Sequence, residues 1–182
     1  MADITKDDVV IDAYCGIGTI SLFLARHAKH VYGVEIVEAA IEDANRNAQN
    51  NNITNVTFKT EDAKVFMQRL ASENKAIDVV VCDPPRKGCA PEFLDAVVTL
   101  HPKRFVYISC NVATQARDVA YLKDKGYQLI KVQPVDMFPM TNHCFFYNFY
   151  FFLFSWKFFV FIYCINFNTI FCFSNFNFLF SW

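Results

Sequence analysis

The sequence of 182 residues lacks an excess of positive charge. Residues 1–143 carry 16 Lys and Arg against 18 Asp and Glu, a formal charge of −2. A surface that binds nucleic acid electrostatically needs clustered positive charge. Such a surface is therefore not the dominant feature of these residues, and a nucleic-acid partner would have to be held by a local patch or by a segment outside this sequence.

The sequence also lacks cysteine pairs of the kind that bind zinc or build a disulfide framework. Its seven cysteines include no Cys-x-x-Cys pair and have no neighbouring histidine at ligand spacing, so we predict no metal site. The first eight residues contain neither a basic region nor an apolar run, and we expect no signal peptide. These features predict free thiols in a reducing, cytoplasmic location.

The final 39 residues, 144–182, are almost without charge. Lys157 is their only charged residue, and they contain 15 of the 21 phenylalanines. We therefore divide the chain into a domain of residues 1–143 and a phenylalanine-rich tail of residues 144–182. The tail keeps neither helical nor strand periodicity, and we interpret it as the product of a shifted reading frame or of non-coding DNA.

Two other interpretations of the tail remain open. Residues 145–165 are long and apolar enough for a membrane anchor, although Lys157 lies within them. Residues 144–150 could instead pair as an edge strand, since aromatic side chains suit strands. We predict no membrane contact for residues 1–143.

Short runs rich in β-branched residues alternate with amphipathic stretches throughout residues 1–143. Six strands, each buried on both faces, and five helices are predicted, which is typical of an open parallel sheet covered by helices on both sides. Ligands bind such sheets at the carboxyl ends of the strands. The predicted strands are Val9–Tyr14, His30–Glu35, Asn55–Lys59, Ile77–Cys82, Arg104–Ser109 and Tyr127–Val132, and the predicted helices are Thr19–Ala28, Val37–Asn50, Ala63–Ala71, Pro91–Leu100 and Thr114–Lys125.

The first predicted strand is followed by Gly16-Ile17-Gly18, a turn that lets the backbone approach a ligand before a helix begins at Thr19. Glu35 closes the second strand, where an acidic residue can bind the ribose hydroxyls of a nucleoside. This pattern fits a dinucleotide and S-adenosylmethionine equally well. A tight turn with a solvated Glu35 is the alternative.

Two more carboxylates follow predicted strands. Asp62 comes just after the third strand, where it could accept a hydrogen bond from an adenine amino group or simply begin a helix. Asp83 follows the fourth strand and precedes Pro84-Pro85, which would make the loop rigid and hold the carboxylate at the ligand site. Arg86 and Lys87 come next and could meet a phosphate.

Cys110 lies just beyond the fifth predicted strand and ahead of the next helix. A helix N-terminus lowers the pKa of a thiol, so Cys110 is a candidate nucleophile. Most single cysteines are packing residues, which is the alternative for this one.

Three segments together, at these spacings, resemble the RNA 5-methyluridine methyltransferases, which methylate uracil in 23S ribosomal RNA or transfer RNA. The resemblance implies a Rossmann-like, class I S-adenosylmethionine-dependent methyltransferase fold with its last strand altered or missing. It also implies S-adenosylmethionine as cofactor and RNA, ribosomal rather than transfer RNA, as partner. The segments are Asp12-Ala13-Tyr14-Cys15-Gly16-Ile17-Gly18, Asp83-Pro84-Pro85-Arg86-Lys87-Gly88 and Tyr107-Ile108-Ser109-Cys110-Asn111, and the similarity extends over about residues 9–143, including Asp136-Met137-Phe138-Pro139.

The resemblance also implies roles for individual residues. In uracil methylation a thiolate adds to C6, which makes C5 nucleophilic enough to take the methyl group. A general base must then remove the C5 proton, and the family's base is a Glu where this sequence has Phe145. Matched by position, the cofactor pocket contains Tyr14, Thr19, Glu35, Asp62 and Asp83, and the nucleophile is Cys110.

The family's N-terminal RNA-binding domain, central domain and upstream cofactor-contacting Gln have no counterpart in this sequence. We expect the methyltransferase domain of an RNA uracil-C5 methyltransferase in truncated form. A non-catalytic protein that still binds S-adenosylmethionine and a membrane-anchored small-molecule methyltransferase are the alternatives. A nicotinamide dehydrogenase would leave the segments around Asp83 and Cys110 unexplained.

Overall fold

The structure is a computed structural model that describes residues 3–133 and 158–161. A five-stranded parallel sheet lies at the centre of these residues. The strand order is β3-β2-β1-β4-β5. The chain moves outward from β1 to β3 and then crosses back to place β4 on the other side of β1, so the order reverses between β1 and β4. The strands are β1 (Val9–Ala13), β2 (His30–Glu35), β3 (Val56–Thr60), β4 (Val79–Cys82) and β5 (Arg104–Tyr107).

Five helices cover the two faces of the sheet. Alternate residues of β4 point to opposite faces of the sheet, and both sets are apolar. Val79 and Val81 pack with α1 on one face, and Val80 and Cys82 pack with α3, α4 and α5 on the other. A strand buried on both faces is apolar throughout, as this one is. The helices are α1 (Thr19–Ala25), α2 (Glu38–Asn50), α3 (Ala63–Ser72), α4 (Pro91–Leu100) and α5 (Val112–Asp124), with α1 and α2 on one face and α3 to α5 on the other.

Local sequence sets where three of these helices begin. The Asp62 carboxylate accepts a hydrogen bond from the Lys64 N–H at 2.8 Å and caps α3. The Asn111 side chain accepts one from the Ala113 N–H at 3.1 Å and caps α5. Pro91 is the first residue of α4, where its missing N–H is not needed.

The prediction that the sixth strand is buried on both faces is wrong. β6 (Gln128–Val132) is not part of the five-stranded sheet but pairs in parallel with β7 (Phe158–Phe161), which belongs to the tail. Gln128, Ile130 and Lys131 are exposed, whereas Leu129 and Val132 are partly buried against the core, so β6 is not buried on both faces. The predicted fold class, an α/β protein with a mostly parallel sheet and helices on both faces, is confirmed.

The interpretations of the tail fall mostly outside the described residues. The expected edge strand, residues 144–150, lies outside them. So does the expected membrane anchor, residues 145–165, except for β7, which forms a strand. Within residues 3–133 and 158–161, no helix has the length and apolar character needed to cross a membrane.

Candidate functional site

Three predicted site residues stand level with one another at the carboxyl ends of neighbouring strands. Ala13 of β1 pairs with Val34 of β2 and with Cys82 of β4. The next residue on each strand is therefore Tyr14, Glu35 or Asp83. They meet where the strand order reverses, which is where parallel sheets bind their ligands.

The outer strands bring Asp62 and Cys110 to the same edge of the sheet. On β3, Thr60 pairs with Glu35, so Asp62 lies two residues beyond that pair. On β5, the Ile108 N–H donates to the Cys82 carbonyl at 2.8 Å, and Cys110 follows two residues later. Thr19, the remaining predicted residue, is exposed as the first residue of α1.

The two glycines of the loop after β1 have different tasks, although both have positive φ angles, 52° for Gly16 and 84° for Gly18. A Cβ at Gly18 would lie 2.7 Å from the Phe58 ring and 3.1 Å from Ala44, so glycine is needed there for packing. A Cβ at Gly16 would meet nothing within 4 Å. Gly16 therefore faces an open space that a ligand could enter.

Glu35 holds this loop in place and is not merely solvated. One carboxylate oxygen accepts from the Gly16 N–H at 3.2 Å, and the other accepts from the N–H groups of Ile36 at 2.9 Å and Val37 at 3.1 Å. A carboxylate can accept about four hydrogen bonds, so there is capacity left for a hydroxyl of a ribose.

The sequence analysis did not identify the apolar surface beside Glu35. Ile36 is 63% exposed and Val37 is 53% exposed. Two apolar residues directly after a strand-end acid, in place of ordinary turn residues, are the signal that could have revealed them. An exposed apolar surface next to a carboxylate that has capacity left for a ribose hydroxyl suits the face of a purine ring.

Asp62 and Asp83 differ in how the protein uses them. Asp62 caps α3, so the alternative interpretation of this residue is the one that its hydrogen bond supports. Asp83 is exposed and accepts no side-chain hydrogen bond from the described residues. Surrounding protein atoms partly desolvate its carboxyl group and raise the pKa of Asp83 to about 6.

Asp12 is a buried acid beneath the loop that the sequence analysis treated only as part of a motif. It is fully buried, and the Ser21 hydroxyl donates to its Oδ2 at 2.5 Å. Oδ1 has no partner among the described residues. Burial, with a smaller contribution from the negative charge of Asp83, raises the pKa of Asp12 to about 7.

Tyr14 adopts a left-handed conformation with φ of 66°, which is rare for a residue other than glycine. Its ring packs against Phe93 with the ring centroids 5.7 Å apart. Burial raises the pKa of the Tyr14 phenol, which therefore stays protonated. Backbone strain of this kind is concentrated at functional sites, and nothing in the sequence around Tyr14 predicts it.

Cys110 differs from the other cysteines that the structure describes. All four are free thiols, but Cys15, Cys82 and Cys89 are buried, whereas Cys110 is only half-buried. It directly precedes Asn111, the cap of α5, so the residue lies just before the N-terminus of that helix. Among the described residues, no group of three or more His, Cys, Asp or Glu could hold a metal ion.

The fold and the site together define a class. A parallel sheet that reverses at β1, a glycine loop after β1 and an acidic residue that ends β2 form a Rossmann-like site for a ligand that contains a nucleoside. The open space at Gly16, the remaining capacity of Glu35 and the apolar surface of Ile36 fit the ribose and base of such a ligand.

The chain belongs to the methyltransferase domain family. A family model described as a methyltransferase domain matches residues 4–136. The predicted fold, that of the S-adenosylmethionine-dependent methyltransferases, and the predicted cofactor, S-adenosylmethionine, are both confirmed.

Similar proteins include two bacterial sequences and one solved structure. An uncharacterised RNA methyltransferase of Oceanobacillus iheyensis is 56% identical over 142 residues, which is 78% of this chain and 31% of that protein. A second, of Listeria innocua, is 54% identical over the same shares of the two chains. The chain thus spans about a third of the length of these relatives.

The solved structure is the tRNA (uracil-54, C5)-methyltransferase of Pyrococcus abyssi in complex with S-adenosyl-L-homocysteine. It is 33% identical to this chain with a TM-score of 0.65, and the match covers 78% of this chain and 34% of that one.

Proposed function

We propose that this chain is the catalytic domain of an enzyme that transfers a methyl group from S-adenosylmethionine to C5 of a uridine in RNA, with Cys110 as the nucleophile. One observation carries the proposal. A half-buried thiol, Cys110, lies beside a helix N-terminus at the sheet edge that also carries Glu35 and Asp83. The similar RNA methyltransferases and the similar tRNA uracil methyltransferase support this choice of substrate.

Different residues around the loop would bind different parts of the cofactor. Glu35 would bind the ribose hydroxyls, and Ile36 would pack on the adenine. Asp62 caps α3 with Oδ1 and would accept from the adenine amino group with its other carboxylate oxygen. The loop at Gly16 would lie along the ligand, while Asp83 would face the charged end of the cofactor. Tyr14 and Thr19 remain predicted members of the pocket. S-adenosylmethionine, when bound, supplies the methyl group as an electrophile on its sulfonium.

Cys110 would act on the uracil ring. Its thiolate would form a bond from Sγ to C6, and the electron pair displaced to C5 would attack the methyl carbon, whose bond to sulfur breaks. A base would then take the C5 proton, and the electrons of that C–H bond would restore the ring and expel the thiolate. Phe145 stands where the family has this base, so we expect the reaction to stop at the covalent stage.

The chain offers little positive charge for RNA. Arg86 and Lys87 are exposed in the loop that begins at Asp83, where they could contact a phosphate, but residues 1–143 carry a net charge of −2 from 16 basic and 18 acidic residues. We therefore expect weak binding of RNA that falls further as salt is added. Ribosomal rather than transfer RNA stays our prediction for the class of RNA.

The test uses S-adenosylmethionine labelled in its methyl group, with fragments of 23S ribosomal RNA and with transfer RNA as separate substrates. We expect label in a protein–RNA adduct that survives denaturation. The Cys110→Ser variant should lose the adduct and keep its affinity for S-adenosylmethionine. Binding of the cofactor by the unmutated chain, with label in neither adduct nor RNA, would contradict the proposal and favour a protein that only binds S-adenosylmethionine.

A further inference from the structure

Asp118 of α5 connects two parts of the candidate site that come from different strands. It is 2% exposed. Its Oδ2 accepts from the Cys89 N–H at 2.8 Å and from the Tyr107 hydroxyl at 2.7 Å. Cys89 follows the loop that begins at Asp83, and Tyr107 is the last residue of β5, three residues before Cys110. One buried carboxylate therefore joins the two segments.

Other side chains on the same face of α5 hold the same loop. Asn111 and Thr114 each donate to the Arg86 carbonyl at 3.0 Å. Arg117 donates to the Lys87 carbonyl at 3.1 Å. A spacing of three residues keeps these donors on one side of the helix. The backbone of the loop is thus bound along the first two turns of α5.

Gly88 shows how closely the loop approaches α5. Its φ is 80°, and a Cβ at this position would lie 2.6 Å from both the Asp118 carboxylate and the Arg117 guanidinium. The Gly88 N–H also donates to the Pro85 carbonyl at 2.8 Å, which closes a turn after the two prolines. The loop therefore has one tight conformation on α5, and that conformation depends on glycine at this position.

The buried hydroxyl of Tyr107 makes the carboxylate hard to replace. Burial raises the pKa of this phenol, so it remains a hydrogen-bond donor, and removing Asp118 would leave it and the Cys89 N–H without an acceptor. A cleft of about 520 Å³ also borders the loop, so packing covers only part of its surface. Hydrogen bonds from α5 therefore restrain the loop together with the burial of Pro84 and Cys89.

We infer that Asp118 is a positioning residue, which holds the loop that begins at Asp83 against the end of β5 and so sets Asp83 and Cys110 in one geometry for the reaction. The inference rests on the proposed function. Asp118 would act through Cys89 and Tyr107 and would touch neither cofactor nor uracil. A misplacement of about 1 Å at a reacting group can lower a rate by about 100-fold.

The experiment compares Asp118→Ala and Asp118→Asn with the unmutated 182-residue chain. Asp95→Ala is the control, because Asp95 lies on the neighbouring helix α4 and accepts a hydrogen bond from Tyr121 of α5, whereas Asp118 accepts from Cys89 and Tyr107. The first measurement is hydrogen exchange of residues 83–90. The second is the rate of covalent adduct formation with 5-fluorouridine RNA at saturating S-adenosylmethionine, per mole of protein that binds the cofactor.

We expect faster exchange in the loop and adduct formation slowed by about 100-fold in Asp118→Ala. Asp118→Asn can place its carbonyl oxygen where Oδ2 accepts from Cys89 and Tyr107, although its amide NH2 cannot accept from Arg117 as Oδ1 does. It should recover the rate to within about tenfold of the unmutated chain. The control should stay within about twofold. An unchanged rate in Asp118→Ala, or a loss no greater than the loss of cofactor-binding protein, would overturn the inference.

Failure of the proposed function gives a different result, since the unmutated chain would then form no adduct. The positioning role of Asp118 is then tested by two measurements that need no RNA. These are hydrogen exchange of the loop and the rate at which iodoacetamide alkylates Cys110, which peptide mass spectrometry measures. Asp118→Ala should change the alkylation rate at least about threefold, through release of the β5 end. Loop exchange and alkylation equal to those of the unmutated chain would refute the positioning role without reference to RNA.

Discussion

The buried acid Asp12 makes the stability of the protein depend on pH in a way that one substitution should remove. Its carboxyl group is fully buried and its pKa is raised from 3.8 to about 7. The folded state therefore binds the proton more tightly than the unfolded state does. The stabilisation is complete below pH 3.8 and is lost as the pH rises towards 7.

The magnitude follows from 1.36 kcal/mol for each unit of pKa difference. At pH 5 only the first part of this stabilisation has been lost, and by pH 8 all of it has. Ionisation of Asp12 should therefore lower the free energy of unfolding by roughly 2.5 kcal/mol between pH 5 and pH 8. Asp12→Asn keeps an acceptor for the Ser21 hydroxyl and cannot ionise.

Urea denaturation of both proteins at pH 5 and pH 8 measures the effect. The unmutated chain should lose roughly 2.5 kcal/mol more than Asp12→Asn does over this interval. Asp83, whose pKa is raised to about 6, also titrates in this window, but it is present in both proteins and its contribution cancels apart from its smaller electrostatic interaction with Asp12. An equal change in the two proteins would refute the reasoning, because Asp12 would then be ionised in the folded state.

The remaining predictions concern the loop and the cofactor. Gly18→Ala should destabilise the fold by roughly 1–3 kcal/mol in the same assay, because its Cβ would meet the Phe58 ring at 2.7 Å. Gly16→Ala should lose only the roughly 1–2 kcal/mol that its left-handed backbone costs an alanine, less than Gly18→Ala loses, because its Cβ meets nothing within 4 Å. It should also weaken S-adenosylmethionine binding in calorimetry, and an equal loss of stability in the two glycine variants would contradict this division. Glu35→Ala should weaken cofactor binding by about 10-fold to 100-fold, since it removes the hydrogen bond to the loop and, in the proposed function, those to the ribose; an unchanged affinity would exclude the ribose role. Cofactor affinity should fall as the pH drops through about 6, where the Asp83 carboxylate becomes protonated, and Asp83→Asn should flatten that profile.

Much of the fold could be predicted because periodicity and burial agree in the central strands. β4 is apolar throughout and buried on both faces, as its sequence indicates. The prediction was wrong for β6, where Gln128, Ile130 and Lys131 are exposed while Leu129 and Val132 pack against the core. Helix boundaries depended on caps, and α5 begins at Val112 rather than Thr114 because Asn111 supplies the cap.

The sequence predicts the site residues that directly follow a strand. The register brings Tyr14, Glu35 and Asp83 level, which follows from the order of parallel strands. The left-handed backbone of Tyr14 and the hydrogen bonds of Asp118 depend on tertiary contacts between distant segments, and no local pattern indicates them. The roles of the site residues, the cytoplasmic location and the interpretation of residues 144–182 as a shifted reading frame stay predictions.

The central claim is that Cys110 attacks uracil, and a covalent adduct tests it most directly. The chain is incubated with S-adenosylmethionine and RNA that contains 5-fluorouridine. This nucleoside carries fluorine in place of the C5 proton, so no base can complete the release of the thiolate. Nuclease digestion and peptide mass spectrometry then identify the attached residue. We predict a methylated fluorouridine on the peptide that contains Cys110 and none with Cys110→Ala. Cofactor binding without any adduct, or an adduct that persists in Cys110→Ala, would contradict the account.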